Sequence, residues 1–308
     1  MNKNPFSIYD FMGYLFPGVL CSVFLYLVFH FDGDMSKLTD VAQLKIALSN
    51  TNTGFDLDKS IMFVVFSYIL GHIVSYMSSL TVEQFAIRVF DYPSVYLLEE
   101  KQKDYGQLWK TFFKTQAISS CIILKQVKIY LKFILKIIIS ILIFPISFSV
   151  FTFGYLFDLN GWVVRNLDKY LIDTIKKKQY LLANRLQINH PDVNDKKCDY
   201  HRIIQHYVYL NIPNSQKKTD NYIALYGFLR CISLIFAIGF DVVAFYSLKT
   251  IDTNAEWNYS LCILLLSLYG ISYLTFLGFM KFYRRFTLEN YMTLLSGMFD
   301  TSKPTDHI

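Results

Sequence analysis

"FMGYLFPGVLCSVFLYLVFHF", residues 11–31, is a strongly apolar segment near the beginning of the sequence. It has 21 residues and contains no Asp, Glu, Lys or Arg. An α-helix needs about 20 consecutive apolar residues to cross the hydrocarbon core of a bilayer. The sequence therefore predicts a membrane-spanning helix at 11–31.

The composition of the whole chain agrees with a membrane protein. Of its 308 residues, 53% are hydrophobic and 18% are charged, whereas soluble domains carry about 25% charged residues. Three further runs, at 60–82, 224–248 and 259–280, have the length and hydropathy of membrane spans. We therefore predict an all-α, multi-pass transmembrane protein with four spans and a helical cytosolic domain.

A fifth apolar run, at 137–157, lacks charged residues and contains Pro145 near its middle. The flanking segments 83–136 and 158–223 hold nine and eleven Lys and Arg residues, whereas 32–59 holds three against five Asp. Because basic loops stay in the cytoplasm, both flanks are expected on the cytoplasmic side, which favours a re-entrant hairpin or a membrane-surface helix. A fifth crossing stays open, because 158–223 exceeds the roughly 60 residues over which the charge rule holds.

The same charge rule places the N- and C-termini in the cytoplasm. The predicted organisation is 1–82 for an N-terminal hairpin of two spans, 83–136 for cytosolic or interfacial amphipathic helices, 137–157 for the fifth apolar run, 158–222 for the cytosolic helical domain, 223–281 for the C-terminal pair of spans and 282–308 for a cytosolic tail. Within the cytosolic domain, 162–189 has apolar residues along one side and charges elsewhere, which predicts an amphipathic helix that packs on a partner helix.

A basic stripe precedes the fifth apolar run. Lys125, Lys128, Lys132 and Lys136 recur at spacings of three and four among Ile, Leu, Val and Phe. This pattern predicts a helix in the headgroup region against anionic membrane lipids; the alternative is a cytosolic helix with a solvated lysine face. The net charge of +6 is modest and lies in particular loops, so we expect no binding to a nucleic-acid duplex.

Two charged residues lie inside one predicted span. Arg230 and Asp241 are eleven residues apart, so they share a helix face about 16 Å apart and do not pair with each other. Arg230 is near the cytosolic end of the span and can extend its head to water. Asp241 is expected to face other helices or water, for example in a pore-lining ring of a homo-oligomer.

Two uncharged features of the first two spans, His72 and the pair Gly13 and Pro17, are further candidates for a pore or gate. His72 has Tyr68 and Tyr76 one turn away on either side, and it is either packed against a neighbouring helix or lines a pore. The ring of Pro17 crowds the carbonyl of Gly13 four residues earlier, which predicts a kink. This kink is either an interfacial lead-in or a bend at a gate where the carbonyl faces water.

Metal binding and enzyme activity are not expected. Cys198, His201 and His206, with His190 upstream, match no strong zinc template. The sequence has no Gly-rich phosphate loop, G-x-S-x-G elbow or H-E-x-x-H pair. We therefore predict no metal, no cofactor and no catalytic residues.

Two strings, "YDFMGYLFPG" at 9–18 and "DNYIALYGFLRCISL" at 220–234, resemble small multi-pass membrane proteins of bacterial anti-phage operons. The resemblance is to the membrane-channel effectors of Hailong-type defence, which pair with a nucleotidyltransferase. It implies a homo-oligomeric channel in the bacterial inner membrane that depolarises the membrane during infection, with a nucleotide as its regulator. The resemblance assigns no site residue.

Two functional hypotheses follow from these patterns. The first is an oligomeric channel whose cytosolic domain senses a ligand or partner. The alternative is a membrane anchor or scaffold that recruits a cytosolic partner through 162–189. A lipid-acting enzyme would need a cluster of intramembrane polar residues, which the sequence does not contain.

Overall fold

The computed structural model describes residues 10–31, 34–49, 57–98, 134–135, 137–157, 161, 164–187, 200–251 and 259–297. Of the structure, 92% is helical, and none of the described residues lies in a strand. The predicted all-α fold is confirmed.

The helices are numbered in chain order. They are α1 (Phe16–His30), α2 (Val41–Ser49), α3 (Leu57–Ser78), α4 (Gln84–Phe90), α5 (Pro93–Tyr96), α6 (Phe144–Leu156), α7 (Lys169–Arg185), α8 (Tyr200–Asn211), α9 (Pro213–Ile251) and α10 (Tyr259–Gly297). Two π-helical turns accompany them: the first π turn, Phe11–Leu15, leads into α1, and the second π turn, Ser79–Glu83, joins α3 to α4.

Among the described residues, four helical stretches are long and apolar enough to cross a membrane: Phe11–His30, Asp58–Tyr96, Gln216–Leu248 and Tyr259–Gly297. The four predicted spans are confirmed in this sense, and they fit a multi-pass membrane protein. Helices α9 and α10 have 39 residues each, a length of about 58 Å. They therefore extend well beyond a hydrocarbon core of about 30 Å.

Helices α9 and α10 form an antiparallel pair that is joined near its middle by two serines. The hydroxyl of Ser233 donates to the carbonyl of Ser272 at 3.0 Å, and the hydroxyl of Ser272 donates to the carbonyl of Ser233 at 3.1 Å. Further along the pair, Lys218 and Glu289 form an exposed ion pair at 2.8 Å. These contacts hold the two long helices in a fixed register.

Helices α1 and α3 cross with their backbones almost in contact. A Cβ atom on Gly18 would lie 1.7 Å from the carbonyl oxygen of Ser67, and one on Gly71 would lie 1.9 Å from that of Tyr14. The hydroxyls of Ser22 and Ser67 are 3.2 Å apart within this crossing. Small residues allow such close approach in membranes, where dispersion contacts and interhelical hydrogen bonds drive helix association.

The last third of α10 belongs to a core to which α4, α7 and α8 also contribute. Tyr291 and Leu294 are fully buried, and the Tyr291 hydroxyl donates to the carbonyl of Ser94 at 3.2 Å. The predicted boundary between a span pair ending at 281 and a tail starting at 282 therefore falls inside one continuous helix. Residues 282–297 pack in the core formed with α5, α7 and α8.

The amphipathic segment predicted at 162–189 contains α7, a helix of 17 residues. The helix begins after Asp168, whose side chain accepts a hydrogen bond from the Leu171 amide at 2.9 Å and so caps the first turn. Val164 precedes the helix and is buried, whereas Leu186 at its end is exposed. On the apolar side, Ile175 and Leu182 are buried, and the helix is shorter than predicted because it starts at the Asp168 cap.

The fifth apolar run is bent. Ile143 leaves helical geometry at φ −115° and ψ 37°, and α6 begins just after it with Pro145 in its first turn. The Ser147 hydroxyl donates to the carbonyl of Ser140, seven residues earlier, at 2.9 Å; in a straight helix a serine hydroxyl reaches only three or four residues back. Helix α6 packs on α9 and α10, with the Ser149 hydroxyl donating to that of Tyr269 at 2.5 Å.

Candidate functional site

The first π turn is where the predicted kink lies. Gly13 is buried within it, and Pro17 stands in the first turn of α1. Because proline has no N–H and its ring crowds the carbonyl four residues back, the chain accommodates the pair with a wider turn. The thiol of Cys231 on α9 points to the Gly13 carbonyl oxygen at 4.0 Å. The carbonyl that proline frees thus faces another helix.

The second π turn ends in an acid that pairs with Arg230. The guanidinium of Arg230 forms an ion pair with Glu83, its Nε donates to the Ser78 hydroxyl at 3.1 Å, and its Nη2 lies 3.4 Å from the Ser75 carbonyl. The side chains of Arg230 and Glu83 are only 12% and 19% exposed. Arg230 is therefore held inside the helix bundle by a charged partner.

Serines complete the surroundings of this ion pair. The Ser79 hydroxyl donates to the Glu83 carboxylate at 3.0 Å, and the Ser78 hydroxyl lies 3.5 Å from the Cys231 sulfur. A buried pair with satisfied hydrogen bonds recovers its desolvation cost, but removing one partner costs about 3–5 kcal/mol because the other charge is left alone. The pair therefore makes separation of α3 from α9 costly.

His72 is attached to the same region through an aromatic contact. Its ring stacks on Tyr14 of the first π turn with ring centroids 3.9 Å apart, and Tyr68 meets it edge-on at 4.7 Å. The other flanking tyrosine, Tyr76, is 67% exposed on the single chain, and His72 is also exposed.

Three of the sequence-predicted features thus meet where α1, α3 and α9 come together. We call this the three-helix junction: Gly13, Ser78, Glu83, Arg230 and Cys231, with His72 joined to it through Tyr14. The junction connects these helices through polar contacts, namely hydrogen bonds and one ion pair.

Asp241 lies apart from the junction. It is eleven residues from Arg230 on the same helix, about 16 Å away. Its Oδ2 atom is buried and has no hydrogen-bond partner among the residues that the structure describes. Its neighbours on α9 meet aromatic rings: Gly239 faces Phe24, and Phe240 stacks on Phe144. The carboxylate is therefore half-buried in apolar surroundings.

Several predicted residues lie outside the described part of the chain: the basic stripe Lys125, Lys128, Lys132 and Lys136, and the possible ligands His190 and Cys198. Of the remaining possible ligands, His201 lies edge-on to Phe286 and Tyr291. His206 lines an open cavity of about 690 Å³ between the end of α7 and α8. Within the described ranges, no three His, Cys, Asp or Glu side chains converge as a metal site would require.

The sequence reasoning missed Glu83, the partner of Arg230. Glu83 follows the predicted span 60–82 directly, so it counted as a loop residue. A signal was present in the sequence. Arg230 lies six residues inside the end of its span that is predicted to be cytosolic, and an acid at the corresponding end of a neighbouring span is within reach of so long a side chain. Gly18 and Gly71 were also missed, because hydropathy carries no information on which glycines face each other.

When the chain is compared with known proteins, no family model, no curated protein and no solved structure matches it. The chain's own residues are therefore the basis for a functional proposal.

Proposed function

We propose that the protein is an oligomeric membrane channel that its cytosolic helices open and close. The observation that carries this proposal is the buried, unpaired Oδ2 atom of Asp241 within a membrane-spanning helix. A carboxylate in a span is costly unless it meets water or a partner, so such residues mark ion paths and helix interfaces. The Asp241 side chain as a whole is only half-buried in one copy, so its remaining surface borders the water-filled path that we propose between copies of the chain.

Control by the cytosolic helices is supported by the continuity of α10. This helix runs without a break from Tyr259 to Gly297, and its apolar span and its buried cytosolic residues Tyr291 and Leu294 belong to one rigid element. A displacement of α7 or α8 is therefore transmitted into the membrane by a helix that does not need to bend.

The biological setting is proposed from the resemblance to anti-phage channel effectors. In this setting the chain lies in the bacterial inner membrane with both termini in the cytoplasm. A nucleotide or a nucleotidyltransferase partner acts on the cytosolic helices, and opening depolarises the membrane. The eleven basic residues of 158–223 suit an anionic regulator on that side.

The channel proposal is tested by reconstitution in phosphatidylethanolamine–phosphatidylglycerol liposomes with a potential-sensitive dye. We expect cation flux through the wild-type protein and a loss of about tenfold or more with Asp241→Asn, because one charge on the ion path is removed from every copy. Asp58→Asn is the matched control, since Asp58 is an exposed acid at the outer end of α3. Absence of flux together with a strictly monomeric state in detergent would reject the channel.

The anchor or scaffold is the second candidate, and exposed side chains on α7 favour it. Tyr170 and Leu181 are 87% and 53% exposed on this cytosolic helix, which is suitable for docking another protein. The scaffold predicts that Asp241→Ala leaves function intact, whereas reversing the charges of Lys176, Lys177 and Lys178 abolishes it. The channel predicts loss of flux with the Asp241 change.

A further inference from the structure

We propose that the Arg230–Glu83 ion pair is a latch between two helical units of the membrane part, and that its release opens the channel. The N-terminal unit consists of the first π turn, α1, α3 and the second π turn, which carries Glu83, and the C-terminal unit consists of α9 and α10. The opening of a channel rests on the proposed function. The contact that holds the two units together does not depend on it and is tested separately.

Each unit is tightly joined within itself. In the N-terminal unit the backbones of α1 and α3 touch at Gly18 and Gly71. In the C-terminal unit Ser233 and Ser272 exchange two hydrogen bonds. Relative motion in the membrane part therefore takes place more easily between the units than inside either one.

The contacts between the units are of two kinds. Away from the junction they are apolar, as in the ring contact of Phe16 with Phe228 at 5.5 Å and the packing of Phe24 against Gly239. Apolar contacts are non-directional and allow small displacements. At the junction they are directional: the Arg230–Glu83 pair with its serines fixes one relative position of the units.

The position of the latch connects it to the cytosolic core. Glu83 is the last residue of the second π turn, and the next helix, α4, inserts Phe85 and Val89 into the core that includes Tyr291 and Leu294. A π turn holds one residue more than an α-helical turn, and single π turns are frequent at functional sites. Returning it to α-helix would rotate α4 by about 100° relative to α3, and the ion pair opposes this rotation.

The first test measures contact between the units without measuring conduction. Val74 on α3 packs in one cluster with Cys231 and Ile235 on α9, so Val74→Cys creates a disulfide reporter with the native Cys231. The reporter is made in a Cys21→Ser background, because Cys21 packs against the same cluster. Disulfide yield under mild oxidation is followed by mass spectrometry on the full chain in liposomes.

We expect Glu83→Gln and Arg230→Gln each to slow disulfide formation by about tenfold or more, because each change leaves the remaining charge without its partner and so lowers the share of molecules in the closed position. The double exchange Glu83→Arg with Arg230→Glu should restore the rate towards that of the reporter alone. Glu289→Gln is the matched control, because the exposed Lys218–Glu289 pair joins helices of the same unit. Ser79→Ala removes one hydrogen bond to the Glu83 carboxylate but leaves the Arg230–Glu83 ion pair in place. We therefore expect Ser79→Ala to slow disulfide formation less than Glu83→Gln or Arg230→Gln.

Dye flux in the same liposomes provides the second measurement, in which the latch variants should raise flux and Glu289→Gln should not. An unchanged disulfide rate in Glu83→Gln, Arg230→Gln and Ser79→Ala would overturn the latch, whatever the flux. Slowed disulfide formation without flux in any variant would leave the latch standing and count against the channel.

Discussion

The backbone amide of Leu167 donates a hydrogen bond to the carbonyl of Leu97 at 3.2 Å. Leu97 follows α5, and Leu167 precedes α7, so the fifth apolar run lies between them in the chain. Two residues that share a backbone hydrogen bond are on the same side of the membrane. A single crossing at 137–157 would separate them, so this contact favours the re-entrant or surface alternative.

Accessibility labelling tests this arrangement in spheroplasts of a bacterial host. In a cysteine-free background, we expect Lys45→Cys, on the exposed side of α2, to react with a membrane-impermeant maleimide from outside. Lys177→Cys, exposed on α7, should react only after permeabilisation. Labelling of Lys177→Cys in intact spheroplasts would instead establish an odd number of crossings between 98 and 164.

The spans were predictable and the contacts between them were not. Uncharged runs such as 11–31 are determined by composition, because the bilayer excludes charge along the whole length of a helix. The hydropathy of the sequence falls at Lys281, Arg284 and Arg285, yet α10 continues beyond them. Lys and Arg are good helix formers, and Tyr291 and Leu294 further along the helix are buried in the core.

The candidate site shows the same division. The residue types flagged it: Gly13 with Pro17, His72 and Arg230 are each unusual in a span, and three helices bring them to one region. Which residue pairs with Arg230 depends on how far α3 extends along the bundle and on how it is rotated about its axis. The extra residue of the second π turn changes both. The hydrophobic periodicity of a sequence assumes a regular α-helix with a constant number of residues per turn, so it cannot predict a π turn.

The α1–α3 crossing predicts a strong effect of a single methyl group. Gly18→Ala would place a Cβ atom 1.7 Å from a backbone oxygen of Ser67, and a backbone atom cannot rotate away. We expect the free energy of unfolding in detergent to fall by about 1–3 kcal/mol, as for overpacked cores. Gly270→Ala is the control: nothing lies within 4 Å of its Cβ position, so it should be neutral or stabilising by up to about 1 kcal/mol. Equal effects would show that the crossing is looser than described.

The serine pair between α9 and α10 predicts a modest loss of stability. Ser233→Ala removes one interhelical hydrogen bond, and bonds of this kind in membrane proteins contribute about 0.6–1.7 kcal/mol. Ser267→Ala is matched to it, because the Ser267 hydroxyl bonds only to carbonyls of its own helix in the described contacts. Chemical unfolding of both variants followed by circular dichroism should show the larger decrease for Ser233→Ala; the reverse order would contradict the pairing.

Burial of the last third of α10 predicts that a truncated side chain there weakens the core that α10 shares with α4, α7 and α8. Leu294 is fully buried, so Leu294→Ala leaves a cavity and should lower the free energy of unfolding by about 2–5 kcal/mol. Leu274→Ala removes the same atoms from the same helix at a position that is 66% exposed, where the change should stay within about 0.5 kcal/mol. If residues 282–297 were instead a tail that rests on the membrane, Leu294→Ala would be as mild as its control. In the channel that we propose, Leu294→Ala should also weaken the response of flux to any cytosolic regulator, because the rigid connection through α10 begins at this core.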